Sequence, residues 1–332
     1  MNVLIRADAS RDIGFGHVMR CMALADALRD GGARVRFLCR ALPGDARETI
    51  RAAGYETIAI DADSPLDDAT ACQAALDARW GRAMRSRCHR ILAIDDLADR
   101  DLECDLLLDQ NWHDAPDSRY LGRIPGEATT LFGPQWALLR REFAQARNGV
   151  RTRDGSVRRI LVCFGGGDAP NATGATLRAL GALRGITLDV VVGAGNPHVA
   201  ELRDLCAGIA GATLAVGATD MAERMAAADL FIGAGGSMTW ERACLGLPGI
   251  TLAIADNQLA LGARIAAAGE GVDLGMATAQ AFADLPAVLG RLIAGPDTVR
   301  AMGCALMARC DGHGAARVAR LLADDCEPLI QG

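Results

Sequence analysis

VLIRADASRDIGFGHVMR, residues 3–20, carries a strand, a turn and a helix start in the order that an α/β unit requires. Val3, Leu4 and Ile5 form a short apolar run of the kind that fills a buried parallel strand. Gly14 and Gly16 bracket Phe15, which permits a tight turn and lets backbone N–H groups come close to a ligand. Val18, Cys21, Met22, Ala25 and Leu28 then fall on one helical face, and Gly31 and Gly32 stop the helix. His17 therefore opens that helix, at the positive end of its dipole. The dipole disfavours an imidazolium and favours the neutral ring that a general base needs. A bound diphosphate acts in the opposite sense, so no net shift follows. Two readings of His17 stay open on this pattern: a capping or packing histidine of an ordinary βα turn, or a catalytic base.

The alternation continues outward from this stretch. VRFLCR (35–40) reads as a strand, 45–53 as a helix, ETIAI (56–60) as a strand and 67–85 as an Ala-rich helix. RILAIDD (90–96) and CDLLLDQN (104–111) are two further strands. Asp95 and Asp96 end the former at the carboxyl edge of a sheet, where ligands gather in open α/β folds; acids there also serve as helix caps. FGPQWALLRREF (132–143) is less regular. From 146 to 158 the chain turns polar and basic and loses its apolar period, so the interdomain linker is expected there, between domains 1–145 and 159–332.

The second half restarts with RILVCFGGGD (159–168), a strand running into three glycines, and a helix follows at 171–183. Gly165 and Gly166 thus lie in a turn suited to phosphate. DLFIGAGGSMTWERACLGLPGITLAIADNQ (229–258) repeats the pattern: a strand ends in Gly233, Gly235 and Gly236, and Ser237 is placed to cap the next helix. Glu241, one turn in, can accept hydrogen bonds from both hydroxyls of a ribose, or is an ordinary dipole-favoured first-turn glutamate. Asn257 and Gln258 leave the following strand with donors and acceptors that fit the hydroxyl and acetamido groups of a sugar; helix capping is the alternative. A late helix at 311–322 is expected to pack back on the first domain.

Composition narrows the function classes. A chain of 332 residues is too long for one typical core. Hydrophobic residues make up 51% and aromatic ones 4%, so small aliphatic side chains fill the cores, as suits parallel sheets under helices. A net charge of -6 and a pI near 5.4 argue against nucleic acid as a partner. No membrane span and no signal peptide are expected, because neither a long apolar run nor a basic and apolar leader is present. The eleven cysteines are scattered without a CxxC pair, which points to a reducing cytoplasm rather than to a disulfide framework or a zinc site.

Taken together, RADAS and IGFGHVMRC near the start, DDLADR and CDLLLDQN in the middle, then GPQWALLRREF, FGGGD and IGAGGSMTWERACLGLP with ADNQ cover nearly the whole chain in a fixed order. In these blocks the chain resembles the UDP-sugar hydrolases of the pseudaminic acid pathway, which cleave UDP-2,4-diacetamido-2,4,6-trideoxy-β-L-altropyranose. More distantly it is similar to the GT-B transferases that add N-acetylglucosamine to the lipid-linked peptidoglycan precursor. The resemblance implies an α/β protein of GT-B type, two Rossmann-like, doubly wound parallel-sheet domains facing across a cleft. It implies that His17 is the general base, that Glu241 binds ribose, that Gly165 and Gly166 face phosphate and that Asn257 contacts substrate. Gly235, Gly236 and Ser237 join the nucleotide set. Arg6, Asp8, Ser10, Gly14, Gly16, Asp95 and Gln258 join the sugar set, although polar residues leaving a first strand also cap turns. Asp8 is alternatively the group that orients His17. Met238 departs from the pattern, where a small hydroxyl residue is expected.

The expected chemistry is attack of water, deprotonated by His17, on the anomeric carbon opposite UDP, with inversion and without metal or cofactor. The rival is a glycosyltransferase on the same fold, with His17 deprotonating an acceptor hydroxyl. A third reading is a nucleotide-sugar sensor that binds UDP and releases nothing. The amino sugar and the oligomeric state stay open.

Overall fold

The computed structural model describes residues 1–10, 14–60, 85 and 88–324. The helix expected over 67–85 lies, except for Arg85, outside the described residues. The chain divides into two compact units, Met1–Arg140 with His313–Gly332, and Arg141–Gly312.

In the first unit, strands β1 (Asn2–Arg6), β2 (Arg34–Arg40) and β3 (Glu56–Ile60) form a parallel sheet in that order. A second parallel sheet orders β4 (Leu92–Ile94), β5 (Leu106–Asp109) and β6 (Thr129–Phe132). The apolar start of β1 is less buried than its composition suggests: Leu4 is 39% exposed, and Val3 and Ile5 are only partly covered. Among the described residues β1 pairs with β2 alone, so its flank lacks the second neighbour that a central strand has. The core proper is built from alternate residues of β2, Val35, Phe37 and Cys39, against the helix Gly16–Asp30, which buries Val18, Cys21, Leu24, Ala25 and Leu28. That helix ends where the Gly31 N–H donates to the Ala27 carbonyl and Gly32 takes φ +82°.

The helix Gly314–Asp324 packs on the helix Gly16–Asp30 through Ala315, Val318 and Ala319, so the late segment completes the core of the first unit. Arg317 donates to the Gln135 carbonyl at 2.7 Å and Arg90 to the Leu321 carbonyl at 2.8 Å. The approach is close enough that a Cβ on Gly314 would stand 2.3 Å from the Ala137 carbonyl oxygen.

The second unit is one parallel sheet of β7 (Arg159–Cys163), β8 (Thr187–Val192), β9 (Ala212–Val216), β10 (Leu230–Gly233), β11 (Gly249–Ala253) and β12 (Val272–Met276), in the order β12-β11-β10-β7-β8-β9. β10 and β11 are buried along their whole length, which explains their unbroken apolar sequences. The chain runs outward from β7 to β9 and then returns to β10 on the other side of β7. This doubly wound order places its reversal between the carboxyl ends of β7 and β10, where open α/β sheets bind ligands.

The stretch 146–158, expected as a linker, belongs to this second unit. Two of its arginines, Arg147 and Arg153, turn inward. Arg147 donates to the carbonyls of Cys244 at 2.6 Å, Met307 at 3.0 Å and Cys310 at 3.0 Å. Arg153 is buried and donates to the carbonyls of Met225, Ala228 and Leu245, the ends of two helices. Burial pushes its guanidinium down to about 10, still charged at neutral pH and matched to the negative ends of those helices. The boundary thus falls at Arg140, before the basic segment rather than within it.

Candidate active site

His17 is the second residue of its helix and is partly buried. Gly14, at φ +81°, closes the preceding turn by donating its N–H to the Ser10 carbonyl at 2.9 Å. Phe15 at the N-cap supplies no side-chain cap. The imidazole Nε2 lies 3.6 Å from the Sγ of Cys21, one helical turn on. Arg20, on the same turn, reaches across to Asp96 with Nη1 to Oδ2 at 3.1 Å. Burial and then the positive charge of Arg20 push the imidazolium down to about 4, with Asp96 and Asp8 pulling weakly in the other sense. The ring is therefore neutral, and able to accept a proton, throughout the physiological range.

That shift has a sign that kinetics can read. Only the unprotonated ring serves as a base, so kcat/KM of the free protein is expected to hold level through neutral pH and to fall only as pH drops through about 4. A limb near the ordinary histidine value would contradict the buried placement.

Several residues expected around the sugar are instead engaged with the scaffold. Arg6 and Asp8 are buried and face one another as a two-pronged ion pair. Asp8 also accepts the Arg40 N–H at 2.8 Å, and Arg6 donates to the Leu38 carbonyl at 3.3 Å. Charges paired in this way tie β1 to β2, and the His17 ring makes its polar contact with Cys21. Ser10 is buried beside them.

Asp95 is likewise a cap. Its Oδ2 accepts the N–H groups of Leu97 and Ala98 at 3.2 and 2.8 Å and the Tyr120 hydroxyl at 3.1 Å, while Oδ1 meets Arg100 at 2.9 Å. A carboxylate engaged in this way organises the carboxyl edge of β4. Tyr120 also reaches Asp109 at 3.0 Å, and Arg119 donates to His113 Nδ1 at 3.0 Å. A guanidinium only donates, so Nδ1 is the accepting nitrogen, and Nε2 lies 3.1 Å from Asp109 without a hydrogen bond to it. Asp109, Tyr120 and His113 escape notice in the sequence because they come together only through the turn and short helix, Pro116–Tyr120, that follow β5.

In the second unit the two glycine turns differ. Gly165 has φ +94°, and added Cβ atoms on Gly165, Gly166 and Gly167 would meet open space. The helix after them, Ala172–Leu180, is nevertheless sealed by its own side chains. The buried Asp168 accepts the N–H groups of Ala172 and Thr173 at 2.8 and 2.9 Å, and Asn171 accepts that of Gly174 at 3.0 Å. Phosphate cannot take these donors without displacing a carboxylate, so the helix end is not the anion seat that the triplet suggests; only the turn itself stays open. Asp168→Ala is expected to cost about 1–2 kcal/mol of stability through the lost cap, readable by urea denaturation.

The turn after β10 is bare by contrast. Ser237 stands at the N-cap of Met238–Cys244 but makes no side-chain cap, contrary to expectation, and its side chain is exposed. Gly235 and Gly236 have room for close approach, with the nearest side-chain neighbour of a Cβ on Gly236 being Gln258 Nε2 at 3.6 Å. The Gln258 Oε1 accepts the Ile254 N–H at 3.0 Å, which fixes the turn after β11 and leaves its amide nitrogen towards the glycines. Asn257 is exposed on the same turn, Glu241 is partly buried on the helix, and Met238 is partly exposed at its start. Thus Gly235, Gly236 and Gln258 come together within this unit.

No family model matches the chain. Among curated relatives, the chain is 28% identical to UDP-2,4-diacetamido-2,4,6-trideoxy-beta-L-altropyranose hydrolase of Campylobacter jejuni, over 52% of this chain and 62% of that protein. It is 26% identical to the spore coat polysaccharide biosynthesis protein SpsG of Bacillus subtilis, over 62% of each. It is 22% identical to an uncharacterized protein of Methanocaldococcus jannaschii, over 76% of this chain and 55% of that one. The chain therefore spans between 55% and 62% of the length of these relatives. Among solved structures, the spinosyn rhamnosyltransferase SpnG superposes with a TM-score of 0.66 at 18% identity, covering 98% of this chain and all of that one. MurG of Acinetobacter baumannii gives 0.61 at 17% identity over 97% of this chain and 99% of its own. SpnG has also been solved with thymidine diphosphate, at a TM-score of 0.63. These likenesses, with the parallel doubly wound sheet, establish that the chain has the GT-B glycosyltransferase fold.

Proposed function

We propose that the protein is an enzyme acting on a nucleotide sugar, and that it hydrolyses a UDP-linked diacetamido-trideoxyhexose at the anomeric carbon to give UDP and the free sugar with inversion. The observation that carries the reading is His17, a neutral imidazole with a depressed pKa at the start of the helix that follows β1. The likeness to the Campylobacter hydrolase and to SpsG supports the substrate class. In this reading His17 takes a proton from water as the water oxygen bonds to the anomeric carbon, and the bond from that carbon to the diphosphate oxygen breaks with its electron pair leaving on UDP. The bare glycine turn at Gly235, Gly236 and Ser237 and the turn at Gly165 and Gly166 meet the diphosphate, and Glu241 takes the ribose. Asn257 and Gln258 supply amides to the substrate.

A transferase on the same fold is the second reading, and the solved neighbours named above favour it. There His17 deprotonates a sugar or aglycone hydroxyl instead of water. The two separate in one assay: the protein incubated with the UDP-diacetamido sugar and no acceptor. A hydrolase releases stoichiometric UDP; a transferase releases it only when an acceptor is added, and a sensor releases none.

In the described residues no helix is long and apolar enough to cross a membrane. The proposed substrate is water-soluble and needs none.

A further inference from the structure

We infer that the thiol of Cys21 positions the His17 ring, accepting the Nε2–H and so leaving Nδ1 as the nitrogen that takes the proton from the nucleophile. The inference rests on the reading of His17 as the base and deepens it. Cys21 is 1% exposed and sits one turn along the same helix, with its Sγ 3.6 Å from Nε2, an ordinary length for a hydrogen bond to sulfur. Among the described residues this polar contact of the ring engages Nε2. A base must present its lone pair to the substrate, and a lone pair on Nε2 would be turned into the helix face that carries Cys21. The productive tautomer therefore has its proton on Nε2, the form that histidine also prefers in water.

Sulfur suits this role. Burial pushes the Cys21 thiol up to about 12, so it stays uncharged and does not turn the ring into one half of an ion pair. A carboxylate in the same place would favour the imidazolium and raise the base's pKa. A weak, neutral acceptor fixes orientation and tautomer without that effect. The charged groups acting on the ring are Arg20 and Arg100, which oppose protonation, and Asp96 and Asp8, which favour it. Removing the thiol leaves all four in place, so Cys21 is read as a positioning residue.

The test uses the full chain with isotope-labelled histidine and reads the ring nitrogens by NMR at neutral pH, with His17→Ala assigning the resonance. The expected spectrum has a protonated, pyrrole-type Nε2 and an unprotonated, pyridine-type Nδ1 for His17. Cys21→Ala is expected to mix the tautomers and lower kcat roughly three- to tenfold, the span of one weak hydrogen bond, with KM unchanged. Cys21→Ser, which restores an acceptor, is expected to recover both. A wild-type spectrum with the proton on Nδ1 overturns the inference, as does a Cys21→Ala protein with parental tautomer and kcat. Because the wild-type spectrum needs no substrate, a protein that fails to hydrolyse UDP-sugar refutes the proposed function without touching this result.

Discussion

His17→Ala is expected to lower kcat by about 10²- to 10⁴-fold, the usual worth of a positioned general base, while UDP binds with unchanged affinity. The argument is one of position. His17 opens a helix whose N-cap side chain contributes nothing, so the imidazole is not consumed in holding the turn. Its loss leaves the helix core standing, because that core is made by Val18, Cys21, Leu24 and Leu28. A merely structural histidine would show the reverse: lower stability and near-normal turnover. Single-turnover kinetics with a parallel UDP titration separates the two outcomes. If the variant turns over at the parental rate, His17 is not the base.

Gly233→Ala is expected to show the largest effect on the scaffold. Gly233 ends β10 opposite Cys163 of β7, and a Cβ there would lie 1.8 Å from the Cys163 carbonyl oxygen and 2.6 Å from the Phe231 ring. The oxygen is backbone and cannot swing away, so β10 must part from β7 just where both glycine turns emerge. Overpacking of this kind costs about 1–3 kcal/mol, and a backbone clash at the sheet centre belongs at the upper end. UDP affinity is expected to fall with it, by tenfold or more on the same roughly 1.4 kcal/mol scale. Gly236→Ala supplies the comparison, because its Cβ would meet only the flexible Gln258 amide at 3.6 Å. That variant is expected to keep the parental melting temperature and still weaken UDP binding, since a methyl group then stands where the diphosphate approaches. A Gly236→Ala protein that binds UDP normally would remove this turn from the nucleotide site.

The fold was legible because hydrophobic period and glycine placement agree over most of the chain. Strands such as β10 and β11 are continuous apolar runs closed by glycines, and the helix Gly16–Asp30 shows its buried stripe in its spacing. What stayed hidden has physical causes. β6, with four residues, is too short to show a period, so of the second sheet of the first unit only β4 and β5 were foreseen. The basic run at 146–158 looks like a linker because composition does not reveal that Arg147 and Arg153 aim at helix carbonyls.

At the site, His17 and the bare turn at Gly235 and Gly236 could be read from motif and spacing. The roles of Arg6, Asp8 and Asp95 could not, since a polar residue at a strand exit looks the same whether it meets a ligand or a neighbour. Here each meets a neighbour. After the glycine triplet at 165–167, Asp168 and Asn171 cap the helix that follows, and that capping was readable in principle from residue type. Cys21 lay in view four residues after His17, at the spacing that brings side chains together on a helix.

The central claim is that water, activated at His17, bonds to the sugar carbon rather than to phosphorus. Hydrolysis of the UDP-diacetamido sugar in water enriched in heavy oxygen, without acceptor, tests it directly by mass spectrometry of the released UDP. UDP carrying no heavy oxygen, formed at a rate that His17→Ala abolishes, is the result expected. Heavy oxygen in the β-phosphate, or no UDP until an acceptor is supplied, would contradict it.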